Sequence, residues 1–466
     1  MLSRTAAPLL MAALLAGCSL IPDTAPPAVT APVAWDSPAG AAGLWPDRAW
    51  WRAFGSAELA RLMEEAQANN LDLAAAANRV RQADAQARIA GAALYPAVGL
   101  DASNSRSWTD SSRTGGRGAG SSSSRSYQGT VGAAYQVDLF GGNTANADAA
   151  QQRLLASRYD REAVALTVES GVASLYFQLL AIRDRVRLAE ETLRIAESIL
   201  GVLQRQVDLG AASDLELAQQ RASVAQQRAS IPVLQQAERE TLTALAILLG
   251  RPPQGFAVEG RTLVGVTLPP AVAGLPATLL LRRPDLRQAQ ATLKAADLDI
   301  VTARADRLPA IDLSLRGGVQ AAALSAVFDA PTFVGSLVGS LSAPLFEGGR
   351  LEAQEDQARA RAAELVDSYR RAVLTAYGDV ENALSATDTA ERRHRFAQDA
   401  NAQARVALRI VDARFRTGTV DFLNVLEAQR TVFQTDDTAI QAALDRYAAA
   451  VTLYTALGGG WDGALR

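Results

Sequence analysis

The sequence predicts an α+β membrane fold in which each chain lends four strands to a shared barrel and continues into long helices. Three observations predict it. The chain states one pattern twice, it contains proline-free stretches far longer than globular helices, and it carries short runs in which uncharged apolar and small or polar residues alternate.

The repeat is read from landmarks. Asn70-Leu71-Asp72-Leu73 leads through an Ala-rich pattern to Tyr95-Pro96-Ala97-Val98, and Pro284-Asp285-Leu286 leads likewise to Leu308-Pro309-Ala310-Ile311. Asp72 and Asp285 are 213 positions apart, as are Pro96 and Pro309. Further on, Leu139-Phe140-Gly141-Gly142 answers Leu345-Phe346-Glu347-Gly348-Gly349. Gly210 answers Gly418 and Gly250 answers Gly458, both 208 positions on. Each half is therefore one structural unit of a tandem duplication.

At the N-terminus, Arg4, the apolar stretch Leu9 to Leu15 and the small residues Ala16-Gly17 read as a secretory signal, too short to span a bilayer. The sole cysteine follows it. Leu15-Ala16-Gly17-Cys18 resembles the bacterial lipobox, in which the cysteine becomes the lipidated first residue, and Ser19 after it is similar to the pattern sent to the outer membrane. One lipid anchor holds only modestly, so stable residence needs a second. The prolines at 22, 26, 27, 32 and 38 mark an extended tether.

The helices come next. Asn143 to Leu209 is proline-free, 67 positions that would span roughly 100 Å at about 1.5 Å per residue. Val186, Ala189, Leu193, Ala196, Leu200, Leu203 and Val207 step by alternating threes and fours, a heptad seam. Gly349 to Arg416 repeats the pattern, and Ile440, Leu444, Tyr447, Val451 and Tyr454 continue it. Shorter partners are expected at Ser213 to Leu249, with a kink at Pro232, at Asp285 to Arg307, at Glu58 to Ala93 and at Asp421 to Ala456. Each half thus offers one continuous helix and one interrupted one.

Strands are expected where the period is two. Val131, Ala133, Tyr135, Val137 and Leu139 alternate with small or polar residues, as do Ile311, Leu313 and Leu315, and Leu337, Gly339 and Leu341. Each run is about ten residues, the length that crosses a bilayer when tilted. The Ser/Gly/Arg-rich segment Ser103 to Ser126 closes the first hairpin as a loop, and Ala323 to Pro331 the second. Tyr95, Tyr127, Tyr135, Phe140, Phe333 and Phe346 lie near strand ends, where interfacial aromatic belts sit. Four strands cannot close a barrel, and open edges in lipid leave backbone groups unpaired. Three copies would supply twelve strands.

The expected division is a signal peptide at 1–17, a lipidated tether and collar at 18–55, and a first repeat at 56–250 with strands at about 95–103 and 127–139. An equatorial connector follows at 251–283. The second repeat covers 284–458, with strands at about 309–319 and 333–345, and a C-terminal collar segment covers 459–466.

Over nearly the whole mature chain these segments resemble the TolC-like outer-membrane factor family, the efflux lipoproteins of tripartite pumps. The resemblance rests on Leu281-Arg282-Arg283-Pro284-Asp285-Leu286, Leu345-Phe346-Glu347-Gly348-Gly349-Arg350, Arg414-Phe415-Arg416-Thr417-Gly418, Val425-Leu426-Glu427-Ala428-Gln429 and Ala456-Leu457-Gly458-Gly459-Gly460-Trp461. It implies a homotrimer, a twelve-stranded outer-membrane β-barrel continued by a long periplasmic α-helical barrel, and an exit duct for small molecules. Its implied partners are a periplasmic adaptor, a proton-driven inner-membrane pump and outer-membrane lipid.

The turns at Gly210 and Gly418 are then the tips. Asp421, Asn424 and Glu427 are three apart and share a helical face, so three copies would make a ring that repels anions and attracts cations. By resemblance the constriction falls at Asn424 and Glu427; Asp421 reads as a solvated helix start favouring the N-terminal dipole. The family's tip lock maps onto Phe415 with Glu216, and Val420. Since phenylalanine and valine make no such polar bonds, the closed state is expected to rest on packing of Phe415 and Phe422. Adaptor docking is expected in grooves around Gly210 and Ser213, and around Gly418 and Thr419.

The net charge of −3 and the absence of a basic cluster give no case for nucleic acid. His394, the one histidine, sits in a charged stretch that reads as a solvated helix face. There is no phosphate loop or metal-ligand spacing, so neither an enzyme nor a cofactor is expected. Two other readings stand beside the efflux duct: a channel for type I protein secretion, and a lipid-tethered periplasmic coiled-coil scaffold, which leaves the four strands without purpose. Drug efflux, metal efflux and protein export all fit the sequence.

Overall fold

The computed structural model describes residues 30–37, 45–110, 121–270, 273–274, 276–329, 331–461 and 463. The signal segment, Cys18 and the centre of the Ser-rich loop lie outside them.

The duplication is visible element by element. After a short 3-10 helix (Trp50–Phe54), the first copy runs α1 (Ala57–Asn69), α2 (Leu71–Gly91), β1 (Ala97–Asp110), β2 (Ser121–Val137), α3 (Gly142–Asp208) and α4 (Asp214–Leu248). The second runs α5 (Pro276–Arg282), α6 (Pro284–Ala305), β3 (Ala310–Ala321), the one-turn α7 (Ala326–Asp329), β4 (Thr332–Ser342), α8 (Arg350–Arg416) and α9 (Phe422–Ala456). Both long helices have 67 residues and both return helices 35.

Two expectations change in detail. Glu58 to Ala93 is not one helix but two, broken at Asn70, whose backbone is extended and whose side chain caps α2 by accepting from the Leu73 amide at 2.9 Å. The first hairpin is longer than 95–103 and 127–139: residues 103–110 and 121–126 are paired strand, not loop. The second pair begins and ends within three residues of 309–319 and 333–345. Pro232 lies inside an unbroken α4. It removes one N–H from the ladder, and the turns on either side carry the helix through.

The described residues form two compact units. One comprises Val80–Ala156 and Ala289–Tyr369. It contains a four-stranded antiparallel sheet in the order β1-β2-β3-β4. The registers run without a bulge, Leu100 opposite Val131, Val131 opposite Gly317, and Leu315 opposite Leu337. Cross-strand partners share a face. One face therefore collects Val98, Leu100, Val131, Tyr135, Leu313, Leu315, Phe333, Leu337 and Leu341, and the other collects Asp101, Gln136, Asp312, Ser314, Arg316, Ser336 and Ser340. Most of these apolar side chains are exposed in the single chain. Beside the sheet, Ala87 of α2 packs on Ala150 and Leu154 of α3. The buried Glu355 carboxylate of α8 accepts from Arg304 at 2.8 Å and from Arg307 at 2.5 Å, and pairs with Arg359 at 2.5 Å. These arginines hold its carboxyl below the usual glutamate range.

The other unit comprises Val29–Arg79, Ser157–Gln288 and Arg370–Arg466. Its core is aromatic. Phe54 sits 4.8 Å from Phe177 of α3, Phe177 4.9 Å from Tyr447 of α9, and Trp50 stacks on Tyr454 at 5.4 Å. Leu59, Leu62 and Met63 of α1 and Leu245 of α4 close it. Burying side chains of this size is the main attraction between the helices. The connector is tied onto this core through its backbone. Glu58 accepts from the Glu259 and Gly260 amides at 2.6 and 2.8 Å, Arg183 donates to the Val258 carbonyl at 2.8 Å, and Tyr447 donates to the Val266 carbonyl at 2.8 Å. The expected seam on α3 faces inward, with Ala189, Ala196 and Leu203 buried.

Candidate functional site

The two helix reversals are built identically. α3 ends where Gly210 takes a left-handed φ of 73°, its amide donating to Val207 O at 2.9 Å and the Ala211 amide to Gln206 O at 2.7 Å. α8 ends where Gly418 takes the same φ, with Gly418 N on Phe415 O at 2.9 Å and Thr419 N on Arg414 O at 3.0 Å. This double closure is the Schellman arrangement, which satisfies carbonyls left over at a helix end.

The starts of the return helices differ. Ser213 caps α4 in a reciprocal box: the Glu216 amide donates to Ser213 Oγ at 3.3 Å, and Glu216 Oε2 accepts from the Ser213 amide at 2.8 Å. Glu216 is thus committed to its own helix start. Asp421 occupies the same place before α9 with no side-chain cap bond. Asn424 reaches back to the Asp421 carbonyl, its amide N–H at 3.1 Å.

Between the two reversals lies a small apolar cluster. Phe422, 1% exposed, meets Phe415 at 5.7 Å between centroids, tilted by 53°. Leu203 and Val425 are buried with it, and Ile199, Ala212, Val411 and Leu426 pack around them. The structure therefore brings Phe415 and Phe422 together. It leaves Asp421, Asn424 and Glu427 exposed on one face of α9, opposite the buried Phe422 and Val425. Nothing joins Glu216 to Phe415.

Sequence reasoning missed two features. Leu209, just before the groove expected from Gly210 to Glu216, stands 83% exposed, as do Leu215 at 67% and Leu423 at 62% inside the two expected grooves, so the missed feature is their apolar exposure. Leucines adjoining a Gly turn were the available signal. Gln220, fully buried, donates to the Ala196 carbonyl at 2.7 Å and cross-links α3 to α4; a lone glutamine on a helix gives no such signal. Among the described residues no three His, Cys, Asp or Glu side chains group as a metal site.

A family model described as outer membrane efflux protein matches residues 62–251 and 275–459, one match per repeat. The pyoverdine export outer membrane protein OpmQ of Pseudomonas putida is 40% identical over 446 residues, 93% of each chain. The cation efflux system protein CusC of Escherichia coli K12 is 30% identical over 460 residues, covering 97% of this chain and 98% of its own. Among solved structures, the outer-membrane channel OprN superposes with a TM-score of 0.89 at 27% identity, over 95% of this chain and all of its own. The open state of the Neisseria gonorrhoeae MtrE channel gives 0.86 at 28%, over 96% of this chain and all of its own.

Proposed function

The chain belongs to the outer membrane efflux protein family, and from that premise we propose that three copies assemble the exit duct of a tripartite efflux system. The chain is an outer-membrane efflux channel; the trimer, its anchor and its partners are the proposal. Each copy lends β1 to β4 to a twelve-stranded barrel, Cys18 carries lipid, and the helices continue as a periplasmic tunnel. The reversals at Gly210 and Ser213, and at Gly418 and Thr419, receive a periplasmic adaptor that links the duct to a proton-driven inner-membrane pump.

The sheet carries this reading. Its two outer strands, β1 and β4, pair on one side only. Its apolar face has no charged residue between Val98 and Ala102 on β1, between Tyr127 and Val137 on β2, or anywhere on β3 and β4. Such a face belongs in lipid, and unpaired edges there are prohibitive, so the edges must find each other across copies. The opposite face, with Asp101, Asp312 and Arg316, then lines water.

At the second reversal, Asn424 and Glu427 face the axis and form the constriction, with Glu427 its charge, and Asp421 starts the helix beside them. The Phe415–Phe422 contact holds the closed tip by packing, and Glu216 stiffens the neighbouring turn. Relatives are named for cargoes as unlike as pyoverdine and cations, so the cargo here is a small molecule chosen by the inner-membrane pump. Light scattering of the Cys18→Ser protein in mild detergent tests the assembly. A protein mass near three chains that still requires detergent is expected; a monomer or dimer released without detergent points instead to a tethered scaffold.

A further inference from the structure

The hairpin β1–β2 extends past the end of the apolar band, and what it places there is unusual. Arg106 and Arg125 are direct cross-strand partners. They lie on the same face as Leu100 and Val131, because the register between the strands is unbroken from Ala97–Ala134 to Asp110–Ser121. Like charges placed opposite each other destabilise a sheet. No ion pair joins either arginine to a carboxylate among the residues whose side chains the structure describes. Arg106 instead lies over the Trp108 ring, 5.1 Å from its centroid. Just below, Asn104 faces Tyr127.

Height decides what this pair meets. From Val137 to Tyr127 is ten positions along β2, roughly 33 Å of strand and about 25 Å along the normal at a tilt near 40°. That equals the apolar band of an outer-membrane barrel, so Tyr127 falls at the upper interface and Arg125 just above it. Asp110 and Ser121 end the paired strands on the side remote from α2 and α3, hence the outer leaflet. The hairpin stays ordered at this level on its polar face, where Ser107 and Ser124 hydroxyls bond at 2.7 Å.

We propose that Arg106 and Arg125, flanked by Trp108 and Tyr127, form a lipid-facing site for the phosphate of an outer-leaflet glycolipid. A phosphate between the guanidiniums would relieve their repulsion and accept charge-assisted bonds from both, while the rings rest at the glycolipid's sugar–acyl boundary. The site rests on the barrel reading of the sheet and adds lipid recognition on the outside of the duct.

Detergent-extracted full-length trimers, titrated with diphosphoryl lipid A and followed by native mass spectrometry, test it. The expected result is binding roughly tenfold or more tighter than that of dephosphorylated lipid A, from the loss of charge-assisted bonds. Arg106→Gln/Arg125→Gln should erase that preference, Arg106→Lys/Arg125→Lys should restore part of it, and inorganic phosphate at equal concentration should not compete. Equal binding of both lipids by the unaltered protein overturns the proposal whether or not the variants assemble, and so does displacement by inorganic phosphate. A detergent-requiring trimer indifferent to lipid phosphate removes only this site; a chain soluble without detergent removes the barrel reading itself.

Discussion

The Asn70 side-chain amide donates to the Leu248 carbonyl at 2.7 Å, tying the break between α1 and α2 to the last turn of α4. In the second repeat the corresponding break is at Arg283, whose guanidinium donates to the Ala456 carbonyl at the end of α9 at 3.1 Å. An amide and a guanidinium thus perform one task in the two halves: each satisfies a terminal helix carbonyl where an interrupted helix passes it. Arg283 also binds Asp285 at 2.7 Å and Asp379 at 3.0 Å. The first copy makes do with a neutral side chain.

Asn70 is 3% exposed and uses both ends of its side chain. Asn70→Ala removes the α2 cap and leaves the Leu248 carbonyl short of a partner, a loss of about 1–3 kcal/mol. Asn70→Asp keeps the cap but sets a buried carboxylate oxygen against the Leu248 carbonyl, and should cost at least as much as Asn70→Ala. Thermal unfolding of detergent-extracted protein orders the three. An Asn70→Ala midpoint equal to that of the unaltered protein would show that the break is held by packing alone.

Two kinds of glycine stand at the two ends of α4. Gly210 and Gly250 both hold a left-handed φ, at 73° and 71°, but a Cβ at Gly210 would meet open space, whereas one at Gly250 would lie 2.3 Å from the Asn69 carbonyl oxygen. Gly210→Ala should therefore show only the backbone cost, about 1–2 kcal/mol. Gly250→Ala must in addition push α1 from its seat and should be clearly more destabilising. Equal midpoints for the two variants would mean that the backbone at Asn69 yields freely.

Burial gives the helical core a pH response through Glu169 on α3. Its carboxyl is pushed up to about 7, chiefly by burial, against the opposing pull of the Gln67 amide, which donates to it at 2.7 Å, and of the Arg48 charge. A carboxyl whose folded pKa is raised binds its proton more tightly folded than unfolded. The resulting stability is complete below the unfolded value near 4.5 and is lost as pH rises through about 7. The unfolding midpoint should therefore drop between about pH 5 and about pH 7, and Glu169→Gln should flatten that part of the profile. A slope unchanged by the substitution assigns the titration elsewhere.

Helix ends were legible because glycine and proline announce them: Gly210, Gly418 and Pro284 stand where the structure turns or restarts. The break at Asn70 was not, since nothing there forbids a helix. Asn70 acts through a carbonyl 178 positions away, and no local pattern reports such a contact. The upper half of the β1–β2 hairpin was misread for a different reason. Serines and arginines between 103 and 126 have turn-like composition, but a register already fixed by Val98, Leu100, Val131 and Ala133 lets the backbone pair on regardless of side chain. At the reversals, the spacing of Asp421, Asn424 and Glu427 was readable on one helix, whereas Leu203, Phe415 and Phe422 meet from three helices and only the aromatic pair was foreseen.

That division of α9 into a buried and an exposed face sets the last prediction. Phe422 and Glu427 are five residues apart, one in the cluster and one in solvent. Phe422→Ala should loosen the reversals, costing roughly 3 kcal/mol if the site cannot collapse, and should raise leak current through the resting channel in planar bilayers. Glu427→Ala should leave the unfolding midpoint within about 0.5 kcal/mol, as expected of an exposed side chain. It should instead lower the preference for cations, because three carboxylates leave the proposed ring. The pair of variants separates packing from charge. Cation preference unaltered in Glu427→Ala would place the constriction elsewhere. A leak in that variant as large as in Phe422→Ala would mean that the carboxylate, not the aromatic contact, holds the tip shut.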